Sequence, residues 1–296
     1  MVSTADPKPL TEHLELVFAF RKLFWLLCRQ PANVISISGE SEMGRRRVTS
    51  GEEIRQPVTV YVERLTAPRD DHRPGLPPNA DAGTLAPHFQ QVFEKWVDQG
   101  RRLPAVHQLF FLPQLGLPLL VEARFLNLAQ AAEAYARTEL GEEYMPQQAW
   151  AAGHYKTLVA AIPPQLDQDH RRAIESRLRF LNAYSFKKLV TLLVERTPAV
   201  ADLIRCPSAF ATHITNYRNH LVHLSGDAPS EADRHPPLQI LVWYLEILLH
   251  IRFLSDLGFR SDELALAIND GFRFPERRLL THYWSELPRH YRPSVG

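Results

Sequence analysis

The sequence predicts a mainly α-helical protein in which a small α+β region precedes a larger helical one. Three observations carry this. Apolar residues recur at helical intervals through most of the chain beyond residue 87, and β-branched alternation is confined to VISIS from Val34 and VTVYVERL from Val58. Between these parts lies APRDDHRPGLPPNADAGTLAP from Ala67, too rich in Pro, Gly and Asp to hold a regular element, which predicts a long loop. The expected domains are therefore 1–86, a short α+β region ending in that loop, and 87–296, a helical region whose core covers about 119–270.

Each helix has its own justification. From Leu10 to Cys28 the positions Leu14, Val17, Phe18, Phe24 and Leu27 follow a helical period. Phe89–Gln99 is amphipathic and stops at Gly100; LLVEARFLNLAQAAEAYARTEL from Leu119 stops at Gly141. Asp167 to Glu195 supplies one or two helices, with Ser185 an internal N-cap in NAYSFKKL. Pro207 and Ser208 open a helix that Gly226 stops; the loop SGDAPSEADRHPP leads to an apolar helix from Leu238 to Gly258. Shorter helices are expected from Ser261 and near Glu276.

Composition narrows the function. The chain has 296 residues, 45% of them hydrophobic and 23% charged, enough to bury a sizeable core. Its 34 Lys and Arg against 33 Asp and Glu leave a formal charge of +1, so no global field draws it to nucleic acid or membrane and any basic site must be local. Cys28 and Cys206 have no metal-ligand spacing, and the N-terminus lacks the basic-then-apolar order of a signal peptide, which together predict a reducing cytoplasm. The stretch LQILVWYLEILLHIRFL is interrupted by Glu246, His250 and Arg252, and is expected to be a core helix too short and too charged to span a bilayer. No internal repeat, phosphate-binding Gly-rich loop or serine elbow is present in the sequence.

The chemistry concentrates in HITNYRNHLVHLSG, residues 213–226. Phe210, Ile214, Tyr217 and Leu221 form the expected buried stripe of this helix, with Arg218 and His223 beside it and His213 at the surface. The helix dipole near the C-terminal turn favours a protonated imidazole, and loss of regular geometry before Gly226 would let His223 swing toward Arg218. Arg followed at similar spacing by His also occurs at Arg101 and Arg102 with His107 and at Arg277 with His282, so spacing alone selects nothing. What distinguishes Arg218 is the adjoining Asn219, the only Arg-Asn pair in the chain, on an amphipathic helix followed by a glycine. His213, His220 and His223 have no nearby Cys or carboxylate to complete a tetrahedral set, so neither a metal nor another cofactor is expected.

RNHLVH, residues 218–223, resembles the signature of HEPN ribonuclease domains, an arginine followed by a polar residue and, after a short interval, a histidine. The order of FEKWVDQGRRLPAVHQLFF, RFLNLAQAAEAYAR with Glu133, and FATHITNYRNHLVH is similar to that of the Apea-like HEPN proteins of bacterial abortive infection, over roughly the last two-thirds of the chain. That family usually carries a longer β-rich N-terminal domain, so a shortened or divergent sensor region is expected here. The resemblance implies a HEPN-type helical bundle and a metal-independent endoribonuclease of phage defence, in which an RNA 2′-hydroxyl attacks the adjacent phosphorus. It also implies a homodimer whose two motifs face one cleft.

In that chemistry His223 would exchange the proton and Arg218 would meet the phosphorane charge, while Asn219 would bind phosphate or orient the imidazole. His220 would supply a second titrating group and Glu133 would position Arg218 from a neighbouring helix. Arg171 and Arg172, in HRR, and the run Arg45 to Arg47 would steer RNA weakly. Two alternatives stay open: a non-catalytic HEPN module binding RNA or nucleotide, and a helical protein-interaction domain in which the motif is accidental.

Overall fold

The computed structural model describes residues 8–29, 34, 36–47, 49, 53–60, 86–113, 119–200, 203–204, 206–223 and 238–268. The fold is mainly α. In order come α1 (Leu10–Cys28), strands β1 (Ile37–Arg47) and β2 (Glu53–Val60), then α2 (Phe89–Arg102), α3 (Pro104–Phe111) and α4 (Val121–Leu140). They are followed by α5 (Gln147–Ala152), α6 (His154–Ala160), α7 (Gln168–Leu178), α8 (Phe186–Glu195), α9 (Pro207–His223), α10 (Leu238–Leu257) and α11 (Ser261–Leu266).

The strands pair as one antiparallel hairpin, from Ile37 opposite Val60 to Arg47 opposite Glu53, with an irregularity between Ser41 and Arg45. This corrects the expected strand positions. β1 continues through the polar stretch SGESEMGRRR, where side-chain alternation is absent, because the ladder of backbone hydrogen bonds to β2 sustains it. Helices α3, α5 and α6 were likewise not anticipated individually; they are short, and Pro104 opens α3 at its first turn, where its missing N–H costs nothing. The loop from Ala67, the segment after His223 with Gly226, and the helix expected near Glu276 with Arg277 and His282 lie outside the described residues.

The described residues fall into two compact units. One comprises those up to Leu119 together with those from His250 onward; the other is Leu120–Leu249. The first unit has an aromatic core: Trp25, Trp96, Phe110, Phe111 and Phe253 are all buried, and Phe110 meets Phe111 and Phe253 edge-on with centroids 4.9 and 5.1 Å apart. Such pairs add about 0.5–1.5 kcal/mol each beyond their buried area. The Trp96 indole N–H donates to the Ala19 carbonyl at 2.8 Å, so this large ring is buried with its polar atom satisfied. Gln99 Nε2 donates to Asp256 Oδ2 at 2.8 Å and Arg252 Nη2 to Asp256 Oδ1 at 2.7 Å, which pairs the polar groups of α2 and the end of α10.

The second unit is a bundle in which α8 packs against both α4 and α9. Its interior holds Phe125, Leu128, Ala129, Ala132, Leu189, Leu193, Phe210, Ile214, Tyr244 and Leu248. The small side chains of α4 let neighbouring helices approach closely. Residues 238–249 of α10 belong here: Tyr244 meets Phe210 at 5.7 Å, and buried Glu246 is ion-paired with Arg124. Helix α10 has 20 residues and is, by length and composition alone, long and apolar enough to cross a membrane, which corrects the expectation that it is too short. Most of it is nevertheless buried within the fold, as a core helix is.

Capping fixes the helices that carry the site. Asp167 accepts from His170 N at the start of α7, and Ser185 Oγ accepts from Lys188 N at 3.2 Å at the start of α8; such caps contribute about 1 kcal/mol each. Gly141 after α4 and Gly258 after α10 have φ of 92° and 99°, conformations a side chain disfavours. Just before Ser185, buried Asn182 clamps the chain that leaves α4: its Oδ1 accepts from Met145 N at 3.2 Å and its Nδ2 donates to Met145 O at 2.8 Å. The C-terminal end of α4 and the N-terminal end of α8 are thereby tied together.

Two buried histidines make the first unit acid-sensitive. Burial, aided by the nearby Lys22 ammonium, lowers His107 from its ordinary 6.5 to about 3, and burial beside Arg29 pushes His250 well below its ordinary value. Below about pH 6.5 the unfolded chain binds protons at these rings that the folded chain refuses, so stability falls with falling pH. The His107 contribution ends near about 3, where the folded form protonates as well. Urea unfolding between about pH 5.5 and 4.5 is expected to show a slope up to about 1.4 kcal/mol per pH unit shallower for His107→Phe than for the parent. Identical slopes would show that His107 is not held neutral.

Candidate functional site

Helix α9 presents the motif as far as the structure describes it. Phe210, Ile214 and Tyr217 are buried and Leu221 is half-buried, which is the stripe expected from the spacing. His213 is a correction: it is 6% exposed, not at the surface. Three residues after Phe210 and four before Tyr217, it lies on the buried face itself.

Arg218 is held from two sides. Its Nη2 donates to Glu133 Oε2 on α4 at 3.0 Å, and its guanidinium lies over the Phe186 ring of α8, 4.6 Å from the centroid. The second oxygen of that carboxylate, Oε1, accepts from Arg137 Nη2 at 3.0 Å and Nε at 3.3 Å. One carboxylate thus bridges two guanidinium groups, and Arg137 Nη1 also lies 3.9 Å from Glu142 Oε2, so the two arginines are matched by two carboxylates. Glu133 is 18% and Arg218 30% exposed at the side chain, so the pair is partly desolvated and its attraction exceeds that of a fully exposed pair. Nε and Nη1 of Arg218 have no hydrogen-bond partner among the described residues. These are donors that an anion approaching from solvent can use.

Arg137 and Phe186 were not anticipated as parts of the site. Arg137 had one available signal, its place one turn after Glu133 on the same helix. Phe186 had none, because its contact with Arg218 depends on how α8 and α9 pack.

Around Arg218, Asn219 is exposed and His220 half-buried, while Val222 is 54% exposed. His223 is the last residue of α9 and its side chain lies outside the described residues. The helix is regular up to it, and residues 224–226, where the loosening is expected, lie outside the described residues. At about 100° per residue, the backbone positions of Asn219 and His223 share a face, and that of Arg218 lies about 140° round from His223. Arg171 and Arg172 lie on α7, and no hydrogen bond or ion pair joins them to this cluster among the described residues. Arg45 to Arg47 form the end of β1, and their side chains are outside the described residues.

The unit is therefore a helical module that presents a doubly supported arginine, with an exposed asparagine beside it, near the end of one helix. Residues 126–263 match the family model of Apea-like HEPN domains, a similarity that supports a HEPN-type, RNA-related module in this part of the chain. The match runs from within α4 to within α11 and includes Glu133, Phe186 and the whole motif. No curated protein and no solved structure gives a significant match to the chain.

The geometry predicts energetic coupling between Glu133 and Arg218. In a double-mutant cycle of Glu133→Gln and Arg218→Gln, urea unfolding is expected to give a coupling of about 1 kcal/mol. Strictly additive losses would mean that the pair contributes nothing in solution.

Proposed function

We propose that this protein is a metal-independent HEPN endoribonuclease that cleaves RNA by 2′-hydroxyl attack at a site composed by two copies of the chain. The observation that carries the reading is the Arg218 guanidinium, steadied by Glu133 and Phe186 with two donor nitrogens left open among the described residues. A cation so fixed is preorganised for charge that develops on phosphorus. His223 takes the 2′-hydroxyl proton; the oxygen bonds to phosphorus, the bond to the 5′-oxygen breaks, and that oxygen leaves with a proton supplied by a second titrating group. His220, or His223 of the second copy, is the donor. The products are a 2′,3′-cyclic phosphate and a 5′-hydroxyl, with no other reactant needed.

Two features favour a composite site. Arg218 and His223 lie on different faces of α9, so apposed copies bring more of the chemistry to one phosphate than one copy does. Val222, four residues beyond Arg218, leaves an exposed apolar side chain on the same helix. A role in abortive-infection defence in the cytoplasm rests on the family resemblance alone. The alternative, a HEPN module that binds RNA without cutting it, makes the same contacts and differs only in turnover.

His223→Ala is expected to lower cleavage about 100-fold or more with RNA affinity nearly unchanged, the usual scale for a lost general acid or base, whereas Arg218→Ala weakens both. Cleavage should persist in excess EDTA and leave cyclic-phosphate or 3′-phosphate ends. A folded His223→Ala protein cutting at the parental rate, or activity lost in EDTA and restored by a divalent ion, would overturn the mechanism. Binding without any cleavage by the parent would leave the binding module.

Assembly is tested separately. Sedimentation of the parent is expected to show a dimer at micromolar concentration, and Val222→Arg to shift it to monomer with the same circular dichroism and a large loss of cleavage. A monomeric parent that cleaves at full rate would contradict the composite site.

A further inference from the structure

The first unit contains a cavity of about 620 Å³ bordered by α1, α2 and α3, and it has the makings of a ligand site. This volume lies in the range that small-molecule pockets occupy. Its lining combines apolar side chains, among them Leu16, Trp96 and Phe111, with seven polar or charged ones.

Two of those polar groups are unsatisfied. His107 is 4% exposed and its Nε2 is buried without a hydrogen-bond partner; its ring lies against Trp96 with centroids 4.3 Å apart. Its Nδ1 edge faces the space beside Gly100, where an added Cβ would lie 3.4 Å from Nδ1. The glycine keeps that edge open to the cavity. Lys22, partly buried, borders the same cavity and has no ion-pair partner among the described residues. Lys22 on α1 and His107 on α3 line this cavity from two different helices. A partly desolvated lysine without an ion pair is costly to maintain, and an anionic acceptor beside it that also meets the Nδ1 edge of His107 relieves that cost, while Nε2 stays unpaired.

The remaining charges constrain what that group is. At the rim Glu12 is paired with Lys8 at 3.1 Å, and Glu15 and Arg101, both exposed, carry opposite charges. The single uncompensated charge is that of Lys22, while His107 is neutral at neutral pH. One cation with one neutral donor matches a monoanion and under-compensates a phosphate dianion.

We propose that this cavity binds a small amphipathic carboxylate, its apolar body against Leu16, Trp96 and Phe111 and its carboxylate between Lys22 Nζ and His107 Nδ1. This site is separate from Arg218 and independent of the ribonuclease reading.

The test uses the full chain and three probes: 1-anilinonaphthalene-8-sulfonate as fluorescent reporter, decanoate as competitor and decanol as its uncharged counterpart. Decanoate is expected to displace the reporter and to bind saturably in calorimetry, at least about tenfold more tightly than decanol. Gly100→Ala puts a methyl group beside Nδ1 in the last turn of α2, where alanine favours the helix, so the fold is retained while decanoate affinity drops about tenfold or more. Lys22→Met should remove the preference for decanoate over decanol and leave decanol binding in place. Lys187→Met, on α8, should change neither. Absence of saturable decanoate binding below about 1 mM, equal affinity for decanol, or parental decanoate affinity in Gly100→Ala and Lys22→Met would each overturn the proposal.

Discussion

The Glu133 carboxylate is the constraint on which the described site depends. It sits on α4 between Arg137, one turn further along the same helix, and Arg218, 85 residues away in sequence on α9. An arginine side chain free on a helix surface loses about 2 kcal/mol of rotamer entropy when a ligand immobilises it. Here the bridging carboxylate and the Phe186 ring restrict it beforehand. The arrangement tolerates little displacement, because one turn of α4 is about 5.4 Å and a hydrogen bond of 3.0 Å would not survive such a shift. What holds α4 and α8 in register is correspondingly polar and specific: the Asn182 clamp on Met145, then the start of α8 fixed by the Ser185 cap on Lys188 N.

The first unit is organised on different physics. Its core is aromatic, and its polar groups are few and individually placed. His107 follows Arg101 and Arg102 at nearly the spacing by which His223 follows Arg218, yet it lies buried against Trp96, with Nε2 unbonded among the described residues. Equal spacing therefore led to unrelated environments. Helix α10 shows how an apolar segment becomes a core helix: Glu246 meets Arg124 in one unit, and Asp256 meets Arg252 and Gln99 in the other. Each charged residue that breaks the apolar run has a partner inside the fold. Membrane-crossing length in such a helix reflects the depth of the core it traverses.

The sequence by itself determined the parts whose cause is local. Periodicity defines α1, α2, α4, α9 and α10, although α2 runs through Gly100, its expected stop, to Arg102; Asp167, Ser185, Gly141 and Gly258 mark ends where a cap or a left-handed conformation satisfies backbone groups close in sequence. Arg218 was legible because an Arg-Asn pair on an amphipathic helix is rare enough to select one position, and Glu133 because it lies on a long helix of the right kind. Tertiary structure decided the rest. β1 runs through SGESEMGRRR because its pairing with β2 supplies hydrogen bonds that no property of its own side chains signals. His213 is interior because the buried face of α9 is wider than the four-residue stripe. Phe186 beneath Arg218, Arg137 on the far oxygen of Glu133, and the opening that Gly100 leaves beside His107 exist only once helices distant in sequence have packed, since contact across a core is set by which faces meet and not by the order of residues along the chain.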